Sequence, residues 1–469
     1  MATIARLHEP ARRVLRRVPL CSTLLFTRIT ACMLTLLLLV PVAAGVAQSS
    51  GESNRRPLLL DDVLTSVARV NPRIDVARAR ARAAQARVPG AIRPPDPKLQ
   101  IGWMNYDLST FRPMQALGMT QLQLMQMIPV AGKLRLAGQV ETARAQAVGI
   151  RVDEVDFDLR NQAAMVFYDL YATEGSLQVA LETRRLLEDI ASIANRMYEV
   201  GDGRQADVLR ASVAVARMQE EIIRMQTMRA AMHARLNALL IRPMETLIGV
   251  PLLPEFPSQP GTADSLAALA ALYRPVLRVA DRQVDAARTS AQLSKREIWP
   301  DLVVGVQYGQ RSGATGTERM GSLMIGASLP VFAGKRQYPM RAEADAMLAM
   351  AQADLAGAKA ETDGAVAIAY ANLQRARRLA ELYRTSVLPQ SEATVTSSRA
   401  AYRVGSVPFM TLIDAQMTLN RYRTELFTLE ADEGRAWAEL EMLTGRVLID
   451  ARSAAPTRSR LVPPRDSQP

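Results

Sequence analysis

Cysteine is confined to one end of this chain. Cys21 and Cys32 are its only two, and both lie within the first 47 residues. Disulfides, thiolate metal sites and cysteine nucleophiles are therefore excluded from everything that follows. Histidine is almost as scarce. After His8 there is only His233, so neither a histidine metal site nor a histidine-based triad can be assembled, and His233 is expected on a helix face. No nucleophile elbow or zinc motif is present either, and the chain is read as a non-enzyme without cofactor or metal. Long apolar runs are missing too. Past Ala47 no stretch approaches 18 consecutive apolar residues, which removes transmembrane helices from the rest of the chain.

The opening residues have the order of a secretory signal. Arg6, Arg12, Arg13, Arg16, Arg17 and Arg28 precede the apolar run Ala31–Ala47, which ends in small residues. Residues 1–47 are read as a signal peptide, with a retained membrane helix as the rival. A lipoprotein box around Cys32 does not fit, because the apolar run follows that cysteine. Without this leader the formal charge falls from +12 to about +7. The remaining base is mostly arginine spread along helical patterns, which describes a solvated surface and not a nucleic-acid stripe.

What the chain does contain is a duplication. YEVGDGRQADVLRASVAVAR, from Tyr198, and YRVGSVPFMTLIDAQMTLNR, from Tyr402, share Tyr, Val-Gly, an apolar pair, Ala and Arg at an offset of 204. Asn71-Pro72 matches Arg274-Pro275, each inside an early helix pattern. Pro129-Val130-Ala131-Gly132-Lys133 matches Pro330-Val331-Phe332-Ala333-Gly334-Lys335. Two copies, 58–241 and 263–448, are expected around a Pro-rich connector, 242–262, with a disordered tail at 449–469. Each copy reads helix, two strands, very long helix, turn, helix. The apolar spacing predicts unbroken helix from Leu134 to Tyr198, on the order of 100 Å. Ala206 to Leu240 returns. In the second copy Arg336 to Tyr402 repeats the pattern, with Pro389 expected to kink or interrupt it, and Thr411 to Leu443 returns. Helices this long need partner helices in a coiled-coil-like layer.

The strand segments lie between Pro95 and Pro129 and between Pro300 and Pro330. Leu99, Ile101 and Trp103, then Leu122 and Leu124, then Leu302, Val304, Val306 and Tyr308, then Leu323, Ile325 and Ala327 each alternate with polar or small residues. A soluble sheet could show this pattern, and so could a membrane barrel with its apolar face toward lipid. Trp103 and Tyr308 are then candidates for an interfacial aromatic girdle. Four strands cannot close such a barrel and open edges are not tolerated in hydrocarbon, so three chains would have to pool twelve strands.

With these features the chain resembles the TolC-like family of outer-membrane efflux proteins. The duplication, the two Pro-to-Gly-Lys strand exits, the two YxVG turns and Val404-Gly405-Ser406-Val407-Pro408 leading into Leu412-Ile413-Asp414-Ala415-Gln416 carry the likeness. The resemblance implies a mostly α fold with a membrane β-barrel part: a trimeric twelve-stranded barrel on a long α-helical barrel crossing the periplasm. It implies an exit duct of a tripartite pump, a homotrimer in outer-membrane lipid docked to a periplasmic adaptor and an inner-membrane transporter of the RND type. The Met-rich strand around Met119, Met125 and Met127 resembles the subgroup serving heavy-metal pumps, although the usual Pro-Phe-Pro-Gly-Lys is Pro-Val-Ala-Gly-Lys here. By resemblance the gate falls on the returning helices, at Asp414 and Asp207. Adaptor docking falls on Val200, Gly201, Val404 and Gly405. Pro129, Gly132, Lys133, Pro330, Gly334 and Lys335 are read as strand-to-helix punctuation, with Gly allowing the bend and the Lys free to meet anionic head groups. The alternative is a soluble periplasmic coiled-coil scaffold.

Overall fold

A computed structural model describes residues 57–114, 118–258, 261–313 and 316–449. The expected signal peptide and residues 450–469 of the expected tail lie outside the described residues. Each copy opens with two helices: α1 (Leu60–Val70) and α2 (Pro72–Ala91), then α5 (Ala263–Tyr273) and α6 (Pro275–Arg296). The single early helix expected in each copy is thus two. Asn71 and Arg274 sit at ψ 120°, in extended backbone, because the following proline disfavours the helical region for the residue before it. Pro72 and Pro275 then occupy the first helical position, where no N–H is needed.

Four strands form one antiparallel sheet in chain order: β1 (Lys98–Met104), β2 (Met119–Ile128), β3 (Leu302–Gly313) and β4 (Gly316–Ala327). The register sets Leu99 beside Leu124, Leu124 beside Val306, and Val306 beside Leu323. One face of the sheet is therefore apolar across all four strands. β1 and β4 are open edges.

The long helix α3 (Lys133–Glu199) runs 67 residues without interruption. Its counterpart in the second copy carries a π-helical segment. α7 (Gln337–Leu382) passes into a π-helical segment, Tyr383–Val387, before α8 (Leu388–Arg403). Pro389 lies just after that segment. Widening one turn absorbs the hydrogen bond that proline cannot donate, so the helix continues. α4 (Gln205–Leu239) and α9 (Phe409–Thr444) return beside them. Among the described residues no helix is long and apolar enough to cross a membrane.

The packed core lies where α1, α3, α4, α5, α7 and α9 meet. Leu159, Phe167, Tyr168, Leu170, Leu236 and Leu440 have no exposed surface, and Trp437 has almost none. The Pro-rich connector joins this core: Ile248 and Leu253 are buried in it, and Leu58 bridges Pro251. Ile449, the first residue of the expected tail, is also buried there, with its N–H donated to Glu441 at 2.9 Å. Two buried acids in this region have cationic partners. Glu430 accepts from Tyr171 at 2.7 Å and from Arg384, in the π segment, at 2.6 Å. Arg377 binds Glu433 at 2.9 Å and lies over the Trp437 ring.

Candidate functional site: sheet, strand exits and helix tips

The apolar face of the sheet is bare. Leu99, Ile101, Leu124, Val306, Leu323 and Ile325 are all exposed, Ile325 to 74%. In water such a continuous patch would be a liability far beyond the scattered apolar residues of an ordinary surface. Trp103, Tyr308 and Phe332 are exposed as well, with Phe332 and Tyr338 at the strand-exit end. Exposed aromatics therefore stand both on the strands and beside the strand exits. Their signal in the sequence was an aromatic beside each element boundary.

The opposite face is built from glutamine, methionine and glycine. Gln121, Gln123 and Gln307 lie on it, with Gln307 hydrogen-bonded to Gln121. Met119, Met125 and Met127 share this face, joined by Met320 and Met324 from β4. Glycines of β3 make room for them. A Cβ on Gly305 would sit 3.1 Å from Met125 Cγ and 3.4 Å from Met324 Cε, and one on Gly309 would meet the Met119 sulfur at 2.7 Å. Met side chains here fill the space over glycine, as flexible apolar side chains do. Among the described residues no group of His, Cys, Asp or Glu could hold a metal ion.

The two strand exits differ. At the first, Ala131 and Gly132 both take positive φ, 57° and 75°, and α3 starts at Lys133. At the second, the turn is spread over residues 331–336 and Gly334 has no positive φ. Glycine thus takes the left-handed backbone at the first exit, at Gly132, whereas Gly334 lies within the second turn without a positive φ. One extra residue in the second motif lets a longer run of turns reverse the chain. Lys133 is also not available to head groups. It is buried, and its Nζ donates to Asp301 Oδ1 and to the Trp299 carbonyl, each at 2.8 Å, with Glu297 at 3.7 Å. This acid pair offsets the cost of a cation in a helix's first turn. Lys335 is exposed.

At the far end of the helices lie the two YxVG turns. Gly201 and Gly405 take φ of 84° and 71°, a region open to glycine at little cost. Gly201 N–H reaches the Tyr198 carbonyl and Gly405 N–H the Tyr402 carbonyl, closing the helix ends. Space beside both glycines is open. Val200 and Val404 are exposed to 72% and 78%. Behind the second turn Tyr402 packs edge-on against Phe409. Burial pushes the Tyr402 hydroxyl pKa up, and the Asp207 carboxylate adds to the rise.

Asp207 sits in the first turn of α4 and Asp414 in the second turn of α9. Asp207 is half-buried and 3.8 Å from Arg210. Asp414 is exposed and lines a cavity of about 530 Å³ between α4 and α9, together with Arg210, Arg217, Met410 and Met417. The structure thus brings Asp414 together with two arginines of the first copy, so the charges at this end are of mixed sign.

Two long helical hairpins, one from each copy, and one bare four-stranded sheet shared by both make a duplicated fold. Residues 63–240 and 266–446 both match the outer membrane efflux protein family. The chain belongs to that family. It is a TolC-like outer-membrane efflux channel whose helices extend into the periplasm. The pyoverdine export outer membrane protein OpmQ of Pseudomonas putida is 23% identical over 410 residues, covering 82% of this chain and 85% of that protein. Among solved structures, the CusC channel matches with a TM-score of 0.72 at 16% identity, over 85% of this chain and 96% of that one. VceC of Vibrio cholerae matches at 0.71 and 16% identity, over 83% and 96%. The outer-membrane channel OprN matches at 0.67 and 19% identity, over 82% and 89%.

Proposed function

We propose that three copies of this chain close one conduit, and that the conduit is the passive exit duct of a tripartite efflux system. The observation that carries the proposal is the sheet: apolar on one face across every strand, uncovered, and open at both edges. Unpaired edges in hydrocarbon cost several kcal/mol per group by order of magnitude, so the edges must pair with further copies. Three chains supply twelve strands and six long helical hairpins, one quasi-equivalent unit per repeat. The apolar face meets lipid, and the glutamine and methionine face lines the bore. A soluble scaffold would leave Leu99, Leu124, Leu323 and Ile325 against water.

In this reading the YxVG turns face the inner membrane. Val200, Gly201, Val404 and Gly405 form the surface met by a periplasmic adaptor, itself joined to an inner-membrane transporter of the RND type. Asp414, with Asp207 behind it, narrows the bore one to two turns inside. Asp414 of one hairpin and Arg210 and Arg217 of the next attract each other and hold the tips together.

Two assays test this. Detergent-extracted protein should run as heat-modifiable trimers from the outer membrane; a soluble monomer would sink the duct. Gly405→Trp should abolish adaptor crosslinking and efflux while trimer levels stay normal. The substitution meets no neighbour, and its left-handed backbone costs only about 1–2 kcal/mol. Undiminished crosslinking would move the docking surface elsewhere.

A further inference from the structure

The buried Lys133 cluster is a contact between the two copies. Lys133 begins the long helix of the first copy, and Asp301 precedes the first strand of the second. The elements around it join the copies in the same sense. β2 pairs with β3, and α6 packs against α3. The second copy offers the same cation and finds no acid. Lys335 is exposed at the second strand exit, with no ion-pair partner among the described residues. The first copy offers the same acid and finds no cation. Asp96 follows Pro95 as Asp301 follows Pro300, is exposed, and likewise has no ion-pair partner among the described residues.

The neighbouring surfaces are incomplete in the same way. α6 packs against both α3 and α7, whereas α2 has no comparable partner besides α3. The start of α3, covered by α6, buries Leu136 and Val140. The start of α7 leaves Tyr338, Met340 and Met347 exposed. β4 and β1 are the two free edges. At the strand-to-helix level, α7, β4 and Lys335 at one boundary of the chain have their complements in α2, β1 and Asp96 at the other.

We infer that Lys335 of one chain docks on Asp96 of the next, and that this ion pair, formed where β4 meets the neighbour's β1, closes the ring of chains at the strand-to-helix level. The occupant of the exposed α7 and β4 face is thus a second copy of this chain. The inference rests on the trimeric reading above and assigns the residues that close it. Six lysine–aspartate clamps then surround the bore, three within chains through Lys133 and Asp301 and three between chains through Lys335 and Asp96. The second kind is the weaker. Glu297 assists Lys133, but its counterpart beside Asp96 is Ile92, leaving the Pro94 carbonyl as the remaining acceptor. Pairing the two also removes an isolated cation from the foot of the barrel.

The test uses the full chain, with Cys21 and Cys32 replaced by Ser, carrying Asp96→Cys and Lys335→Cys together and treated with a short bis-maleimide, because a Lys–Asp pair spans more than a disulfide allows. On a denaturing gel the expected product is a ladder ending at three linked chains. Each single variant should stay monomeric. The pair Lys133→Cys and Asp301→Cys should be linked only within one chain. Charge reversal reads the electrostatics. Asp96→Lys alone should lower the temperature at which trimers dissociate, and adding Lys335→Asp should restore it. If the double-cysteine chain remains monomeric on the denaturing gel while light scattering shows trimers, the clamp is overturned and the trimer stands. If the unmodified protein forms no trimers, the underlying reading falls and the inference falls with it.

Discussion

The sheet and the helical waist use the same aliphatic side chains in opposite ways. In the helical waist around α1, α3, α4 and α9, Leu159, Leu170 and Leu236 are fully buried in one cluster with Phe167 and Tyr168. In the sheet, Leu99, Leu323 and Ile325 are more than half exposed. One region completes its burial inside a single chain. In the proposed trimer the other is finished by lipid on its face and by another chain at its edges. Composition does not separate them; periodicity and the presence of a second layer do.

The comparison breaks most decisively by arginine substitution in the sheet. Leu124→Arg or Ile325→Arg should prevent membrane insertion, since a midplane arginine facing lipid costs about 2–4 kcal/mol per copy. Gln123→Arg, on the opposite face, should insert nearly normally. Heat-modifiable trimer in isolated outer membranes measures all three, and equal insertion would contradict the assignment of faces. In the waist the corresponding test is Trp437→Ala. Removing a buried aromatic costs about 3–5 kcal/mol, and it also strips the ring beneath Arg377. Thermal unfolding of the helical part should drop sharply while the strands still insert.

A smaller effect concerns Glu441 at the edge of the waist. Burial pushes its carboxyl pKa above the ordinary range, against the pull of the backbone N–H groups of Ile449 and Leu448. The folded chain therefore holds this proton to higher pH than the unfolded chain does. Its contribution to stability is fullest below the ordinary carboxylate range and declines as pH rises through the folded value. Glu441→Gln keeps the Oε1 that accepts both N–H groups. That variant should flatten the fall in melting temperature over this window, as read by thermal scans across acidic pH. An unchanged slope would show that Glu441 is not the group titrating.

The long helices were legible in the sequence because their signal is long. The expected span Leu134 to Tyr198 differs from α3 by one residue at each end. Strand faces were legible for the same reason, since period two repeats in four places. Local exceptions were harder. Asn71-Pro72 and Arg274-Pro275 divide helices whose apolar pattern continues across the break. Gly334 carries the same motif as Gly132 without its backbone angle, because one inserted residue changes the turn. Lys133 looked free, since its acids lie more than 160 positions away. Long-range pairing leaves no local trace, although the Pro-Asp pairs at 95–96 and 300–301 hinted at it. The methionines looked scattered along one strand, and the register gathers them with Met320 and Met324 on a single face. The Asp414 cavity joins residues from both returning helices, and nothing within either helix alone announces that meeting.

The central claim is that three copies of this chain close a conduit through the outer membrane, narrowed at its helix tips. Single-channel recording in planar bilayers, comparing the unmodified protein with Asp414→Ala, tests it most directly. The account predicts discrete current steps from the unmodified trimer and larger steps from Asp414→Ala, because the substitution removes a carboxylate ring from the narrow end. Equal conductance in both proteins would remove Asp414 from the gate, and an absence of current steps in either would contradict the conduit itself.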